Sequence, residues 1–343
     1  MFEVLLTVCL LADPAACRTE RHDGGATREA CAVEAGRLAA AVGADQQAER
    51  WPCVATGTTP SIALTEIAPG VFVHQGHHAE FDPHNLGDVA NIGVVVGNRS
   101  VAVIDAGGSA AVAQGLLAAI REITALPISH VVLTHMHPDH SFGAATLAAG
   151  GAEIIGHAKL ERALAARREH YLARARDMIG PAFAETDLAT PDLAVEDSTE
   201  IDLGGRVLQL VAHATAHTDN DLTVYDRESG TLFLGDLLFL GHLPVIDGSV
   251  LGWLTVLDRL EAQPARRGVP GHGPVAVAWP EAAGPMRAYL ETLVSEARAA
   301  IEAGMPIGEA AETLGHRSAA AWLLADPFAA RNALTVYKEL EWE

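Results

Sequence analysis

Residues 130–140 read His-Val-Val-Leu-Thr-His-Met-His-Pro-Asp-His, an apolar run ending in four potential metal ligands within six residues. No other stretch restricts the fold as tightly. His130–Thr134 has the β-branched, apolar texture of a buried strand, and the ligands follow it directly. In an extended chain alternate side chains share a side, so His135 and His137 can face one ion. Pro138 bends the path, and Asp139 and His140 can then face a second. Such a cluster requires further ligands from other strand ends, and the chain offers them. His217 lies in Ala-His-Thr-Asp after the strand-like Val207–Ala212. Asp236 lies in Leu-Gly-Asp directly after Thr231–Leu234, and His272 lies in Pro-Gly-His-Gly. Imidazole nitrogens and carboxylate oxygens in these settings are zinc-type donors.

The texture around these ligands alternates strand and helix. Val71–His74 reads as a strand, and Asn91–Val96 and Ser100–Ile104 read as a hairpin about Gly97-Asn-Arg. A helix over 109–123, the strand at His130, a helix near 142–149 and a strand at Glu153–Ile155 follow, which predicts an α/β layered fold. Residues 157–179 form a basic amphipathic helix. Leu160, Leu164, Tyr171, Leu172 and Ile179 make its apolar stripe, and Arg162, Arg167, Arg168, Arg174 and Arg176 fill the other face. That face is either simply solvated or a cationic flap over an anionic substrate. Strands resume over 199–236, and helices are expected at 249–262, 280–303, 307–314 and 328–340.

All four cysteines, Cys9, Cys17, Cys31 and Cys53, fall in the first 53 of 343 residues. An even, clustered set predicts two disulfides in a small N-terminal domain, residues 1–56, followed by a linker at Thr56–Pro60 and a second domain over 57–343. Glu3–Leu11 is read as a strand and Thr27 as the cap of a helix running to Val42. With a parallel return strand, Cys17 pairs with Cys31 and Cys9 with Cys53. The apolar start has no cationic residue before Arg18 and is too short to span a bilayer, so it is read as a mature strand whose export signal has been removed. Disulfides and export together predict a periplasmic protein. The 23 basic and 44 acidic residues give a net charge of −21, which repels nucleic acid and anionic membrane surfaces.

At this point the chain resembles the metallo-β-lactamase-fold hydrolases. The resemblance spans residue 64 to about 280 and rests on the His-x-His-x-Asp-His segment, His217, Asp236 and the late Gly-His-Gly. It implies an αββα sandwich, here with a small disulfide-bonded N-terminal domain and C-terminal helices. It also implies two zinc ions, one taking His135, His137 and His217, the other Asp139, His140 and His272, with Asp236 bridging. Asp105, in Val-Ile-Asp-Ala-Gly, matches an acid that braces the ligands from behind. A hydroxide shared by two metals would attack a carbonyl, thioester, lactone or phosphoryl centre, with Asp139 accepting its proton. His242, Asp247 and Ser249 are candidate rim contacts for a small-molecule substrate. True β-lactamases generally carry Cys or Ser where this chain has Asp236, so β-lactam cleavage is expected to be weak or incidental. The rival chemistry is a mononuclear iron site of persulfide-dioxygenase type, which shares the His-x-His-x-Asp-His segment. A narrower resemblance rests on Val8–Pro14, Asp88–Ile92 and Gly241–Gly248. It is similar to the quinoprotein relay system zinc metallohydrolases, related to SoxH-like proteins, and implies a functional link to a PQQ-dependent dehydrogenase system.

Overall fold

The computed structural model describes residues 2–11, 13–55 and 60–342. Its first unit has a three-stranded sheet of order β2-β1-β3, formed by β1 (Phe2–Leu10), β2 (Asp13–Gly25) and β3 (Gln46–Ala55). Helix α1 (Arg28–Ala40) starts on Thr27, whose side chain accepts the Ala30 N–H at 3.1 Å. Val4, Leu6 and Val8, alternate residues of β1, form a small core with Cys31 and Ala35 of α1. The expected parallel return is overturned. β2 runs back along β1 before the helix begins, and β3 then pairs antiparallel on the other side of β1.

That topology reassigns the disulfides. Cys31 on α1 bonds Cys53 on β3, with Cα atoms 5.9 Å apart, so neither Cys17–Cys31 nor Cys9–Cys53 forms. Cys9 is itself disulfide-bonded, and the β1–β2 register sets it opposite Cys17. The Cys31–Cys53 bond ties helix to sheet in a unit with little core of its own. Across a separation of 22 residues it stabilises the unit by about 3 kcal/mol on chain-entropy grounds. Replacing both cysteines by serine is expected to make residues 2–55 the first region cut in limited proteolysis. Unchanged cleavage kinetics would show that the bond is not what secures the unit. Apart from Pro60, the expected linker Thr56–Pro60 lies outside the described residues.

The rest of the chain builds two sheets. The first has the order β10-β9-β8-β7-β6-β5-β4. It comprises β4 (Thr65–Ala68), β5 (Val71–His74), β6 (Ile92–Val96), β7 (Val101–Ile104), β8 (Ile128–Val132), β9 (Glu153–His157) and β10 (Leu193–Val195). The predicted hairpin is β6–β7, antiparallel; β7, β8 and β9 are parallel and joined through helices, as parallel pairing requires. Those helices are α2 (Ala110–Ile123), α3 (Pro138–Ser141) and α4 (Ala144–Ala148), and α5 (Leu160–Ile179) follows β9. The second sheet runs in sequential order from β11 to β16. Its strands are β11 (Ser198–Asp202), β12 (Val207–Ala212), β13 (Leu222–Asp226), β14 (Thr231–Phe239), β15 (Arg267–His272) and β16 (Val277–Ala278). Helix α6 (Val250–Glu261) connects β14 to the parallel β15, and α7 (Gly284–Glu302), α8 (Ile307–Thr313), α9 (His316–Ala319) and α10 (Ala325–Leu340) complete the chain.

Three apolar layers hold these elements. Val73, Val95 and Ile104 of the first sheet pack on Leu210, Val224 and Phe233 of the second. Leu116, Ile120 and Leu164 of α2 and α5 cover the outer face of the first sheet. Trp253, Leu290 and Val336 of α6, α7 and α10 cover the second. The result is the expected αββα sandwich, and burial on both faces explains why β6 and β7 read as unbroken apolar runs. A charged pair in the second sheet reaches across to the first through its arginine. Arg206 and Asp226 are both buried and bonded at 2.6 Å, and the Arg206 Nη1 donates to the carbonyls of Pro69 at 3.0 Å and Val96 at 3.1 Å.

Candidate metal centre

The site is assembled where the ends of β8, β12 and β15 meet a break in β14. Asp236 lies within β14, two strand positions beyond the strand end read from the sequence. The pairing of β14 with β15 shifts register on either side of Gly235, whose φ of +51° suits glycine, and this bulge aims Asp236 into the site. Opposite it, a Cβ on Gly271 would stand 2.0 Å from Asp236 Oδ1, so only glycine lets the β15 end approach.

Seven side chains converge in two groups, each able to hold a metal ion: His135, His137, His217 and Asp236, and Asp139, His140 and His272. In the first group His137 Nδ1 lies 3.0 Å from both His135 Nε2 and His217 Nε2. Asp236 Oδ2 completes it at 3.6 Å from His135 and 3.4 Å from His217. In the second, Asp236 Oδ1 is 3.1 Å from His140 Nε2 and 3.4 Å from His272 Nε2, and Asp139 Oδ2 is 3.3 Å from His272. These spacings are near the edge of about 3.3 Å expected of a tetrahedron with arms of about 2.0 Å. Asp236 turns one oxygen to each group.

The outer nitrogens explain why the inner ones are free to act as donors. His140 Nδ1 donates to Asp105 at 2.8 Å, His217 Nδ1 to the Val245 carbonyl at 2.7 Å and His272 Nδ1 to the Val89 carbonyl at 2.9 Å. His137 is reversed, its Nε2 donating to Asp247 at 3.1 Å. His135 Nδ1 donates to the Thr134 hydroxyl at 3.1 Å, which itself donates to Asp105 at 2.9 Å. Each bond fixes the tautomer that leaves a lone pair pointing inward. His140 Nε2 and Asp236 Oδ1 are buried with no hydrogen-bond partner, as expected of atoms shaped for a cation. The donor set therefore fits divalent metal.

Electrostatics divides the cluster in the same way. Burial, reinforced by His140, holds His135 well below its ordinary value, and burial carries His217 down to about 3. Burial also opposes charge on His272, yet Asp236 and Asp139 raise it to about 9. Asp105 sits at the end of β7 with φ +63°, a left-handed conformation that Asp tolerates better than most residues. It accepts the Thr134 N–H at 2.8 Å as well as its hydroxyl, and so braces both His135 and His140 from behind.

A cavity of about 600 Å³ opens over the cluster, and Asp139, Asp236 and His272 reach its floor. His242 lines it, stacked at 4.9 Å on His272, with Nδ1 donating to the Leu243 carbonyl at 2.7 Å. Asp247 also lines it, between His137 and Arg331. Ser249 stands elsewhere: its hydroxyl accepts the Gly252 N–H at 2.9 Å as the cap of α6 and donates to Glu339. Sequence reading missed Asn91, whose side-chain N–H groups hold the carbonyls of Pro270 and Gly273 and so lock the His272 turn. It also missed Arg331, which reaches the cavity from the last helix. Neither has a local signal, because each acts on residues far along the chain.

Comparison with known proteins agrees with this geometry. The chain is 30% identical over 194 residues to acyl-coenzyme A thioesterase MBLAC2 of Gallus gallus, a match covering 50% of this chain and 63% of that protein, less than two thirds of its length. The sec-alkyl sulfatase PisA1, solved as a double mutant, superposes with a TM-score of 0.61 at 18% identity, over 82% of this chain and 51% of that one. A metallo-β-lactamase from Pontibacter korlensis gives 0.54 at 21% identity, over 67% of this chain and 99% of that one. Residues 86–272, more than half of the chain and spanning all seven clustered side chains, match the sequence profile of the Metallo-beta-lactamase superfamily, and the chain belongs to that superfamily.

Proposed function

We propose that the protein is a two-zinc hydrolase of small esters, thioesters or lactones. The observation that supports this most is the position of Asp236, one oxygen toward each donor group. A zinc pair, when bound, supplies Lewis acidity and lowers the pKa of water at the site. His135, His137 and His217 would hold one ion and Asp139, His140 and His272 the other, with Asp236 placed to serve both. Asp139 lines the cavity and is the base that takes the proton of the attacking water. His242, with Nε2 left free by its bond to Leu243, contacts the substrate. Thioesters head the order of testing because the Gallus gallus relative is named a thioesterase.

The Cys31–Cys53 bond supports an oxidising compartment, which we read as the periplasm. Among the described residues no helix is long and apolar enough to cross a membrane. We further propose that the reaction serves a PQQ-dependent oxidation system, on the strength of the Asp88–Ile92 and Gly241–Gly248 segments.

Metal analysis of the purified protein is expected to find about two zinc ions per chain, removable by chelator together with hydrolysis of a panel of thioesters, lactones and phosphodiesters. One ion per chain, with iron retained in preference to zinc, would overturn the proposal.

A further inference from the structure

Helix α5 turns one face to the cavity. Arg167, Tyr171, Arg174 and Met178 line it, at the three- and four-residue steps that place side chains on one side of a helix. Of the other arginines of α5, Arg162 pairs with Asp219 at 3.0 Å, Arg168 pairs with Asp187 and Arg176 is exposed. From the opposite layer of the sandwich, α10 contributes Phe328 and Arg331. Three guanidiniums therefore stand around the mouth of one cavity in a chain of net charge −21.

Their counter-charges leave them under-used. Arg331 donates to Asp247 Oδ1 at 2.9 Å, Arg167 is 4.0 Å from Asp247 Oδ2, and Arg174 is 3.6 Å from Glu80. Only Asp247 and Glu80 pair with these three guanidiniums, while Asp139 and Asp236 lie on the floor with the donor cluster, and each guanidinium has five N–H donors, most of them uncommitted by these contacts. Asp247 is also the acceptor for His137. Arg167 and Arg331 are thus one carboxylate removed from a residue of the metal cluster, close enough to hold a second group on the molecule being cleaved there. Phe81, Phe239 and Phe328 supply apolar wall between floor and rim.

We propose that Arg167 and Arg331 form an anion subsite that binds a carboxylate or phosphate of the substrate. The preferred substrates are then small esters or thioesters with an apolar body and a negatively charged end. The position of the scissile bond rests on the hydrolase reading above; the anion subsite does not.

Three matched esters test it on the zinc-loaded protein: 4-nitrophenyl hydrogen succinate, its neutral methyl ester, and 4-nitrophenyl 3-phosphonopropionate. The wild type is expected to favour at least one anionic ester over the neutral one by roughly 10- to 100-fold in kcat/KM, the scale of a lost charge-assisted hydrogen bond. The carboxylate and phosphonate arms decide which anion fits. Arg167→Gln and Arg331→Gln should each reduce that preference about tenfold or more, mainly through KM. Arg176→Gln, on the exposed side of α5, should keep it. Hydrolysis of all three esters without an anionic preference, or a preference untouched by both cavity variants, would overturn the subsite while leaving the hydrolase. If none of the three esters is cleaved, the hydrolase reading is decided by the substrate panel above and the subsite by calorimetry. Glutarate or phenylphosphonate binding to the purified protein that weakens in Arg331→Gln supports it, and equal binding in both proteins removes it.

Discussion

Asp236→Ala is expected to lower kcat/KM on any hydrolysed substrate by at least roughly 10³-fold, because activation of water from a pKa near 16 toward about 7 depends on the metals it would share. The same variant should bind fewer than two zinc ions, since both donor groups lose an oxygen together. The fold should survive. Asp236 is one polar residue at the edge of large apolar layers, and far-ultraviolet circular dichroism is expected to be unchanged. Turnover near the wild-type rate would refute the two-metal assignment. Asp236→Cys offers a complementary result: any rise in β-lactam cleavage would tie the weak β-lactamase character expected here to this position.

Arg206→Met is expected to destabilise the protein by about 3–5 kcal/mol, the usual result of removing one partner from a buried ion pair. The variant leaves the Asp226 carboxylate buried without its cation and the Pro69 and Val96 carbonyls without their donor. Denaturant unfolding monitored through tryptophan fluorescence measures the loss, and a change under about 1 kcal/mol would mean that the clamp contributes little. The pH dependence has a definite sign. Burial alone would raise the Asp226 pKa, but Arg206 and Ser229 overcome it and hold the carboxyl below its ordinary value. The pair's contribution is therefore complete above the unfolded-state value of about 4 and fades as pH falls through the lowered one. The stability gap between wild type and Arg206→Met should narrow on that acidic side.

Much of the donor cluster is legible in the sequence. His135, His137, Asp139 and His140 lie so close in sequence that a turn alone brings them together, and His217 and His272 stand out as histidines at strand ends. Thr27 could be read as a cap because a cap bonds to an amide three residues on, here that of Ala30. In α2 and in the β6–β7 hairpin, too, the deciding contacts are local. β2 was missed: Asp-Pro-Ala-Ala-Cys-Arg-Thr-Glu-Arg-His-Asp-Gly-Gly alternates no apolar residues, and it is an edge strand formed by pairing with β1. Missing it reversed the expected direction of β3, and with that the disulfide pairing followed the wrong topology.

Ser249, Asn91, Arg206 and Arg331 carry the same lesson at the scale of single side chains. A serine beside a ligand loop reads equally well as a substrate contact or a helix cap, and only the position of α6 and Glu339 decides it. Asn91 meets Pro270, Arg206 meets Pro69 and Arg331 meets Asp247, each across 84 residues or more. The sequence by itself determined the donor types of the cluster, the Thr27 cap and the layered α/β class, because those depend on hydrogen bonds and periodicities spanning a few residues. The tertiary structure alone decided which strand passes beside which, which cysteines meet and which arginines face the cavity. Those outcomes depend on the relative orientation of distant segments, which only their packing sets.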